Sequence, residues 1–303
     1  MKASADSSPL PGLPEVPEEG LRRVLAPNPS PMTFRGTNTY ILGEGRVAVI
    51  DPGPALPAHY DAILAALRAG ESVSHILVTH SHLDHSPLAR PLAEATSAPI
   101  YAFGTSEAGR SELMRELAAS GLAEGGEGVD RDFQPDETLS DGDEIGGSSW
   151  SLRALHTPGH FGNHLCFLWG DAAFSGDHVM GWATSLVSPP DGDMGAYMES
   201  LARLASCRAR VLYPGHGSAI EDPAARMAYL AAHRRERESQ ILAALAKGPA
   251  NAATLASRVY TETPPALLPA AARNVFAHLI DLWQKNRVDC IGRPAFALPF
   301  SLA

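Results

Sequence analysis

The segment Thr79-His80-Ser81-His82-Leu83-Asp84-His85 carries the strongest structural and chemical signal in the chain. It follows Ile76-Leu77-Val78, a short apolar run that predicts a buried strand. A six-residue stretch just after the strand end therefore holds four side chains of metal-binding type: His80, His82, Asp84 and His85. Because the segment leaves the strand as a loop, these side chains can surround two ions. The segment predicts a metal site at the strand end.

Three further polar turns follow predicted strands and supply more side chains of the same types. They lie at residues 156–160, 174–178 and 213–217 and contribute His160, Asp177 and His216. Glycine beside each of these residues lets the backbone turn sharply. Nitrogen and carboxylate ligands that leave one position open are typical of catalytic zinc. Two such ions would generate a hydroxide at neutral pH and stabilise the developing oxyanion, with Asp84 or a bound water handling protons. We therefore expect a hydrolase with two Zn²⁺ ions per chain and no dedicated general acid.

Four other residues are candidates for supporting a ligand or contacting the substrate. Asp51 ends a predicted strand, and Asn163 and His164 closely follow His160. Thr184 lies in the polar loop after Asp177. Structural roles in turns and loops remain open alternatives for all four.

The order of strand and helix patterns predicts an α/β (α+β) fold. A Pro- and Ser-rich stretch over residues 1–20 is expected to be a flexible leader, and residues 21–230 a layered catalytic domain. Part of residues 104–143 is interpreted as an insertion over one rim of a pocket. Residues 231–303 resemble a small winged-helix domain, with helices near 225–246, 251–259 and 265–287 before short strands at 288–290 and 295–298.

Charge is unevenly distributed along the 303 residues. The segment from residue 231 onward holds nine Lys or Arg and five Asp or Glu, which leaves 15 basic and 29 acidic side chains in the first 230 residues. Such an acidic body repels polyanions at long range, although the basic tail could contact one. The charged run at 234–238 mixes three Arg with two Glu and is interpreted as a solvated helix face.

Composition also bears on location. No run of about 18 apolar residues occurs, and the first residues lack the pattern of an export signal, so we expect neither a membrane span nor secretion. Three widely spaced cysteines fit no disulfide framework and favour a reducing cytoplasm. The oligomeric state is not indicated.

Together, the T-H-S-H-L-D-H, T-P-G-H, S-G-D and P-G-H-G segments resemble the metal motifs of the metallo-β-lactamase superfamily in type, order and spacing. The resemblance spans about residues 21–220 and implies a four-layer αββα sandwich. It also implies one zinc held by His80, His82 and His160, a second held by Asp84, His85 and His216, and Asp177 as the bridge. Members that bind iron for oxygen or nitric-oxide chemistry have a carboxylate where this chain has His82, which favours zinc.

Three functions are compatible with these patterns. The first is hydrolysis of an ester, thioester or related small-molecule acyl substrate. The second is cleavage of single-stranded RNA, because residues 27–40 resemble a subgroup that includes a mitochondrial single-strand endoribonuclease with a winged-helix-like C-terminal region. The third is a non-catalytic metal-binding or regulatory protein, against which the complete ligand set argues.

Overall fold

The computed structural model describes residues 10–122 and 128–303. Its first sheet has seven strands that lie in chain order. They are β1 (Pro14–Glu18), β2 (Leu21–Leu25), β3 (Asn38–Leu42), β4 (Arg46–Ile50), β5 (Ser72–Leu77), β6 (Ile100–Ala102) and β7 (Glu137–Thr138). Neighbours are antiparallel from β1 to β4 and parallel from β4 to β7.

The second sheet has five strands in the order β12-β11-β10-β9-β8. They are β8 (Glu144–Gly146), β9 (Ser151–His156), β10 (Leu165–Trp169), β11 (Ala172–Gly176) and β12 (Val211–Pro214). Strands β8 to β11 are antiparallel neighbours, whereas β11 and β12 are parallel.

Seven α-helices and a two-stranded ribbon complete the described residues. The helices are α1 (Pro57–Ala65), α2 (Ala89–Thr96), α3 (Glu112–Ala119), α4 (Met194–Ser206), α5 (Pro223–Leu245), α6 (Ala252–Val259) and α7 (Leu268–Gln284), the last preceded by a 3-10 turn at Pro265–Leu267. The ribbon pairs β13 (Val288–Cys290) with β14 (Phe300–Leu302). No helix in these described ranges is both long and apolar enough to cross a membrane.

The two large sheets pack face to face between helices, which confirms the predicted four-layer arrangement. In β3, Tyr40 belongs to the core between the sheets, while the next residue, Ile41, packs with helices α1 and α2. The same alternation sends Phe167 of β10 toward the first sheet and Cys166 toward α4. Side chains that alternate between two apolar cores identify strands buried on both faces.

Strand direction brings the loops with the metal-binding side chains to the edge where these strands end. Strands β4 and β5 are parallel, as are β11 and β12. Strand β9 runs in the same direction as β11 because both are antiparallel to β10. The chain therefore leaves β5, β9, β11 and β12 into the loops that hold the predicted ligands.

The C-terminal region has its own apolar core, formed by α6, α7 and the β13–β14 ribbon, which confirms the winged-helix-like prediction. Helix α5 runs through the predicted boundary between residues 230 and 231 without a break. Its Leu230 packs in the core beneath the second sheet and its Ile241 in the C-terminal core. One helix thus belongs to both parts of the chain.

Two sequence predictions about the chain termini are wrong in part. Within the expected leader, Pro14–Glu18 pair with β2, because Gly20 at φ 77° returns the chain in a tight turn and the pairing needs only backbone groups. Residues 1–9 of the leader prediction lie outside the described residues. The last strand is Phe300–Leu302 rather than 295–298, because the fully buried Phe300 fills the C-terminal core while residues 295–298 form a turn.

The structure also bears on two predictions about helical segments, and only the second of them, the solvated face on α5, is wrong. Helix α3, in the region interpreted as a pocket rim, buries Met114 and Leu117 in the C-terminal core and so connects the two parts of the chain. Residues 123–127 of that region lie outside the described residues. In the run interpreted as a solvated face, Arg234 is only 1% exposed, because tertiary packing of α5 covers it.

Candidate metal centre

All seven side chains predicted as metal ligands converge at the strand-end edge. Their candidate ligand atoms form three sets, each with all atoms within 4.8 Å of one another. The sets are His80 with His82 and His160, His80 with His85 and Asp177, and Asp84 with His85 and His216. The first and third sets are the two groups implied by the sequence resemblance, and the second places Asp177 between them.

The first set consists of imidazoles alone. The Nδ1 atom of His82 lies 2.9 Å from Nε2 of His80 and 3.2 Å from Nε2 of His160. Burial and the neighbouring imidazoles lower the pKa of His80 well below its usual value and that of His82 to about 3. These rings are neutral at pH 7, and the neutral imidazole is the form that donates a lone pair to a metal.

The second group combines imidazoles with carboxylates. Nε2 of His216 lies 3.1 Å from an oxygen of Asp84 and 3.3 Å from Asp177, and it is 3.3 Å from Nε2 of His85. Burial alone would lower the pKa of His216, but Asp177 and Asp84 outweigh it and raise the pKa to about 9. The pKa of Asp177 lies well below its usual value because its adjacent imidazoles overcome the cost of burial. The carboxylates are therefore ionised and available to a cation.

The Oδ1 atom of Asp177 provides a test of whether a metal fits this site. This atom is buried and has no hydrogen-bond partner among the described residues. It lies 3.6 Å from Nε2 of His85, between the two sets of candidate ligands. A buried ionised oxygen without a partner is costly, and a cation would remove that cost. Imidazole and carboxylate donors suit zinc, iron and other first-row divalent metals.

Asp51 lies behind His85 and orients it. One carboxylate oxygen accepts the backbone N–H of Thr79 at 2.7 Å, and the other accepts the Thr79 hydroxyl at 2.8 Å. The second oxygen is also 2.9 Å from Nδ1 of His85. This contact places the proton on Nδ1 and leaves Nε2 directed at the site, as carboxylate–histidine pairs do around metals. The structure therefore brings Asp51 to the supporting position considered in the sequence analysis.

Backbone carbonyl groups orient two of the other imidazoles. Nδ1 of His160 lies 2.6 Å from the carbonyl oxygen of Leu186, and Nδ1 of His216 lies 3.1 Å from that of Gly36. Sequence reasoning missed both partners, because a carbonyl group has no residue-specific signal. Thr79, whose hydroxyl lies 3.0 Å from Nδ1 of His80, was also missed, although its place beside the histidine motif could have indicated it.

Asn163 and His164 support the loops that carry the candidate ligands. The amide of Asn163 donates to the hydroxyl of Ser81 at 2.9 Å. Nε2 of His164 accepts the backbone N–H of Asp177 at 3.2 Å, so His164 contacts the backbone of Asp177 rather than its carboxylate. Thr184 is half-buried, and no hydrogen bond joins it to a candidate ligand in the part of the chain that the structure describes.

Gly215 allows the loop after β12 to approach the other ligands. A Cβ atom at this position would lie 2.5 Å from Oδ1 of Asp177 and 2.6 Å from Cε1 of His85. Both distances are far below van der Waals contact. Glycine is therefore required here for steric reasons.

The four-layer sandwich, with imidazole and carboxylate side chains brought together at the strand ends, is the architecture of a protein that binds metal ions at the edge of two packed sheets. Comparison with known proteins identifies the family: residues 32–216 match the metallo-beta-lactamase superfamily, and residues 252–293 match the beta-lactamase associated winged helix domain. The chain belongs to the metallo-β-lactamase superfamily, and it is a hydrolase of that superfamily.

Individual relatives extend this result to most of the chain. The Beta-lactamase-like protein 2 homolog of Drosophila melanogaster is 34% identical over 280 residues, with 88% of each chain covered. The Atrochrysone carboxyl ACP thioesterase of Aspergillus fumigatus is 32% identical over 250 residues, which cover 80% of this chain and 67% of that protein. A metallo-beta-lactamase family protein from Thermus thermophilus superposes with a TM-score of 0.74 at 27% identity, covering 94% of this chain and 99% of the other.

Proposed function

We propose that this protein is a two-zinc hydrolase that cleaves an ester, thioester or related acyl substrate. The observation that carries the proposal is the buried Oδ1 atom of Asp177, which has no hydrogen-bond partner among the described residues and lies between two sets of metal-binding side chains. His80, His82 and His160 would hold one ion, Asp84, His85 and His216 the other, and Asp177 both. When bound, such a pair of ions supplies a nucleophile at neutral pH and stabilises the developing oxyanion.

The exposure of the candidate ligands indicates where a substrate approaches. The side chain of Asp84 is 26% exposed, whereas those of Asp177 and His216 are 8% and 1% exposed. Asp84 therefore lies at the open side of the site. Its pKa is below its usual value because His85 and His216 overcome the effect of burial, so the carboxylate that faces the approaching substrate is ionised. Asp84 or a metal-bound water would handle the proton.

Two observations favour an acyl substrate over RNA. A relative that is 32% identical is named an acyl-carrier-protein thioesterase. In addition, the first 230 residues hold 29 acidic and 15 basic side chains, and Arg234 of the basic tail is buried and unable to contact a polyanion. Single-stranded RNA is the competing substrate class. A cytoplasmic location belongs to the same proposal and is supported only by the three separated free cysteines.

A substrate panel combined with metal analysis tests this proposal. The panel contains p-nitrophenyl esters, acyl thioesters, lactones, β-lactams, bis-p-nitrophenyl phosphate and single-stranded RNA. We expect about two zinc ions per chain and turnover of an ester or thioester. Asp177→Ala should reduce that turnover by more than about 100-fold, the upper range for changes to groups that only support a metal ligand.

The matched control is Asp171→Ala, which removes a carboxylate that is 71% exposed. It should retain metal and activity. Turnover of RNA but of no acyl compound would replace the proposed substrate class. Full activity in Asp177→Ala, or after exhaustive chelation, would contradict the metal-dependent mechanism.

A further inference from the structure

Residues 183–190, here named the supporting loop, contact two of the candidate ligands from behind. The carbonyl oxygen of Leu186 lies 2.6 Å from Nδ1 of His160. The hydroxyl of Ser185 donates to the backbone carbonyl of Asp177 at 2.5 Å. One of these contacts orients an imidazole ring, and the other holds the backbone of the candidate bridging carboxylate. The position of the supporting loop therefore sets the geometry of both residues.

Side chains from α5 and α7 hold the supporting loop in place. The side-chain oxygen of Asn274, in α7, accepts the backbone N–H of Val187 at 2.9 Å. The guanidinium of Arg234, in α5, donates to the carbonyl of Ser185 and lies 3.4 Å from the same oxygen of Asn274. Next to this pair, Arg273 donates to the hydroxyl of Ser188 at 2.9 Å. These contacts thus come from α5 and α7, both of which contribute residues to the C-terminal core.

Arg234 carries a positive charge that is buried in the protein interior. The residue is 1% exposed, and its guanidinium carbon lies 5.1 Å from the ring centre of Tyr197. No carboxylate forms an ion pair with it within the described ranges, so carbonyl and amide oxygens and an aromatic face surround the charge. Burying a charge without a counter-ion costs stability. A buried aliphatic residue would avoid that cost, but it could not donate to the supporting loop.

We propose that Asn274 and Arg234 are positioning residues through which the C-terminal part of the chain sets the geometry of the metal site. The proposal rests on the proposed metal-dependent function. The route has two steps: Asn274 and Arg234 fix residues 185–187, and these residues fix His160 and Asp177. In these contacts Asn274 and Arg234 touch the supporting loop and each other, and neither touches a candidate ligand.

Asn274→Ala tests the inference, because it removes the acceptor for Val187 and one contact of Arg234. Zn²⁺ affinity is measured by competition with a chromogenic chelator, and the visible absorption of the Co²⁺-loaded protein reports ligand geometry. We expect Zn²⁺ affinity to fall by about 10-fold, the lower range for groups that support a metal ligand, with a changed Co²⁺ spectrum. Asn274→Asp retains an oxygen acceptor beside Arg234 and should bind Zn²⁺ as the wild type does.

The matched control is Leu255→Ala, which creates a cavity in the C-terminal core without touching the supporting loop. It should lower thermal stability at least as much as Asn274→Ala while leaving Zn²⁺ affinity within about twofold of wild type. If Asn274→Ala fails to fold, Asn274→Ser provides the same test, because its hydroxyl is too short to replace the amide oxygen.

The outcomes separate this inference from the proposed function. Equal Zn²⁺ affinity in wild type and Asn274→Ala overturns the inference, as does an equal loss in Leu255→Ala. If the wild type binds less than one Zn²⁺ per chain, the proposed metal-dependent function itself fails. A weakened Asn274→Ala, an unaffected Leu255→Ala and a restored Asn274→Asp together support the positioning role.

Discussion

Asp51→Asn should weaken metal binding even though the substituted side chain has nearly the same shape. Asp51 accepts two hydrogen bonds from Thr79 and lies 2.9 Å from Nδ1 of His85. An amide can still accept the backbone N–H of Thr79, but its NH₂ group would then face Nδ1 of His85. To avoid two opposed donors, the ring must move its proton to Nε2, the nitrogen directed at the site. The variant therefore removes a lone pair from the metal site without removing a candidate ligand.

The expected loss of Zn²⁺ affinity is about 10- to 100-fold, the range found for groups that orient metal-binding histidines. This loss corresponds to about 1.4–2.7 kcal/mol of binding free energy. Competition with a chelator measures it, and raising the free Zn²⁺ concentration should restore most of the activity. Asp136→Asn is the matched control, because this carboxylate also accepts a backbone N–H but pairs with Arg90, and no hydrogen bond among the described residues joins either one to a candidate ligand. Affinity within about threefold of wild type in Asp51→Asn, or an equal loss in Asp136→Asn, would refute the reasoning.

Three further predictions follow from the site and its surroundings. Burial lowers the pKa of His278 to about 3, so between about pH 6.5 and pH 3 this histidine binds a proton in the unfolded chain but not in the folded one. The free energy of unfolding should therefore fall as the pH falls through that range. His278→Gln should flatten this dependence in urea titrations at several pH values. Gly215→Ala should abolish tight Zn²⁺ binding, because the added Cβ would collide with Asp177. The control Gly181→Ala should bind Zn²⁺ normally, because its Cβ would lie 3.4 Å from the nearest atom. Normal binding in both variants would show that the loop after β12 adapts. Turnover of the acyl substrate should change less than about twofold between 50 and 200 mM salt. Binding of RNA through its phosphates would weaken steeply over the same range. A steep salt dependence would therefore favour the nuclease.

The candidate ligands could be predicted from sequence because each one is encoded locally. His80, His160, Asp177 and His216 all follow an apolar strand within a few residues, and a glycine adjoins each of the last three. Strand direction then determines that these turns meet at one edge. Backbone pairing brings the ends of β9, β11 and β12 to one edge of the second sheet, and packing of the two sheets places the end of β5 beside them.

Features that depend on packing between distant segments could not be predicted in the same way. Arg234 lies in a run of mixed charges, which is typical of an exposed helix face, yet Tyr197 and the supporting loop bury it. Phe296 and Phe300 are both aromatic residues near the end of the chain, and only the shape of the C-terminal core determines that Phe300 is the fully buried one in the strand. Strand β1 was missed because its side chains are exposed or half-buried and show no apolar alternation.

The predicted domain boundary between residues 230 and 231 rests on charge composition, and the packing of α5 across it bears on function. Charge composition changes near residue 231, but composition mainly records which side chains face water, whereas a domain boundary depends on which residues share a core. Helix α5 contributes Leu230 to the core beneath the second sheet and Ile241 to the C-terminal core, and Arg234 lies between them against the supporting loop. Because the helix that joins the two parts also holds the loop behind His160 and Asp177, the C-terminal part cannot shift without moving residues at the metal site. Packing of this kind couples the C-terminal part to the chemistry even though none of its residues is a candidate ligand.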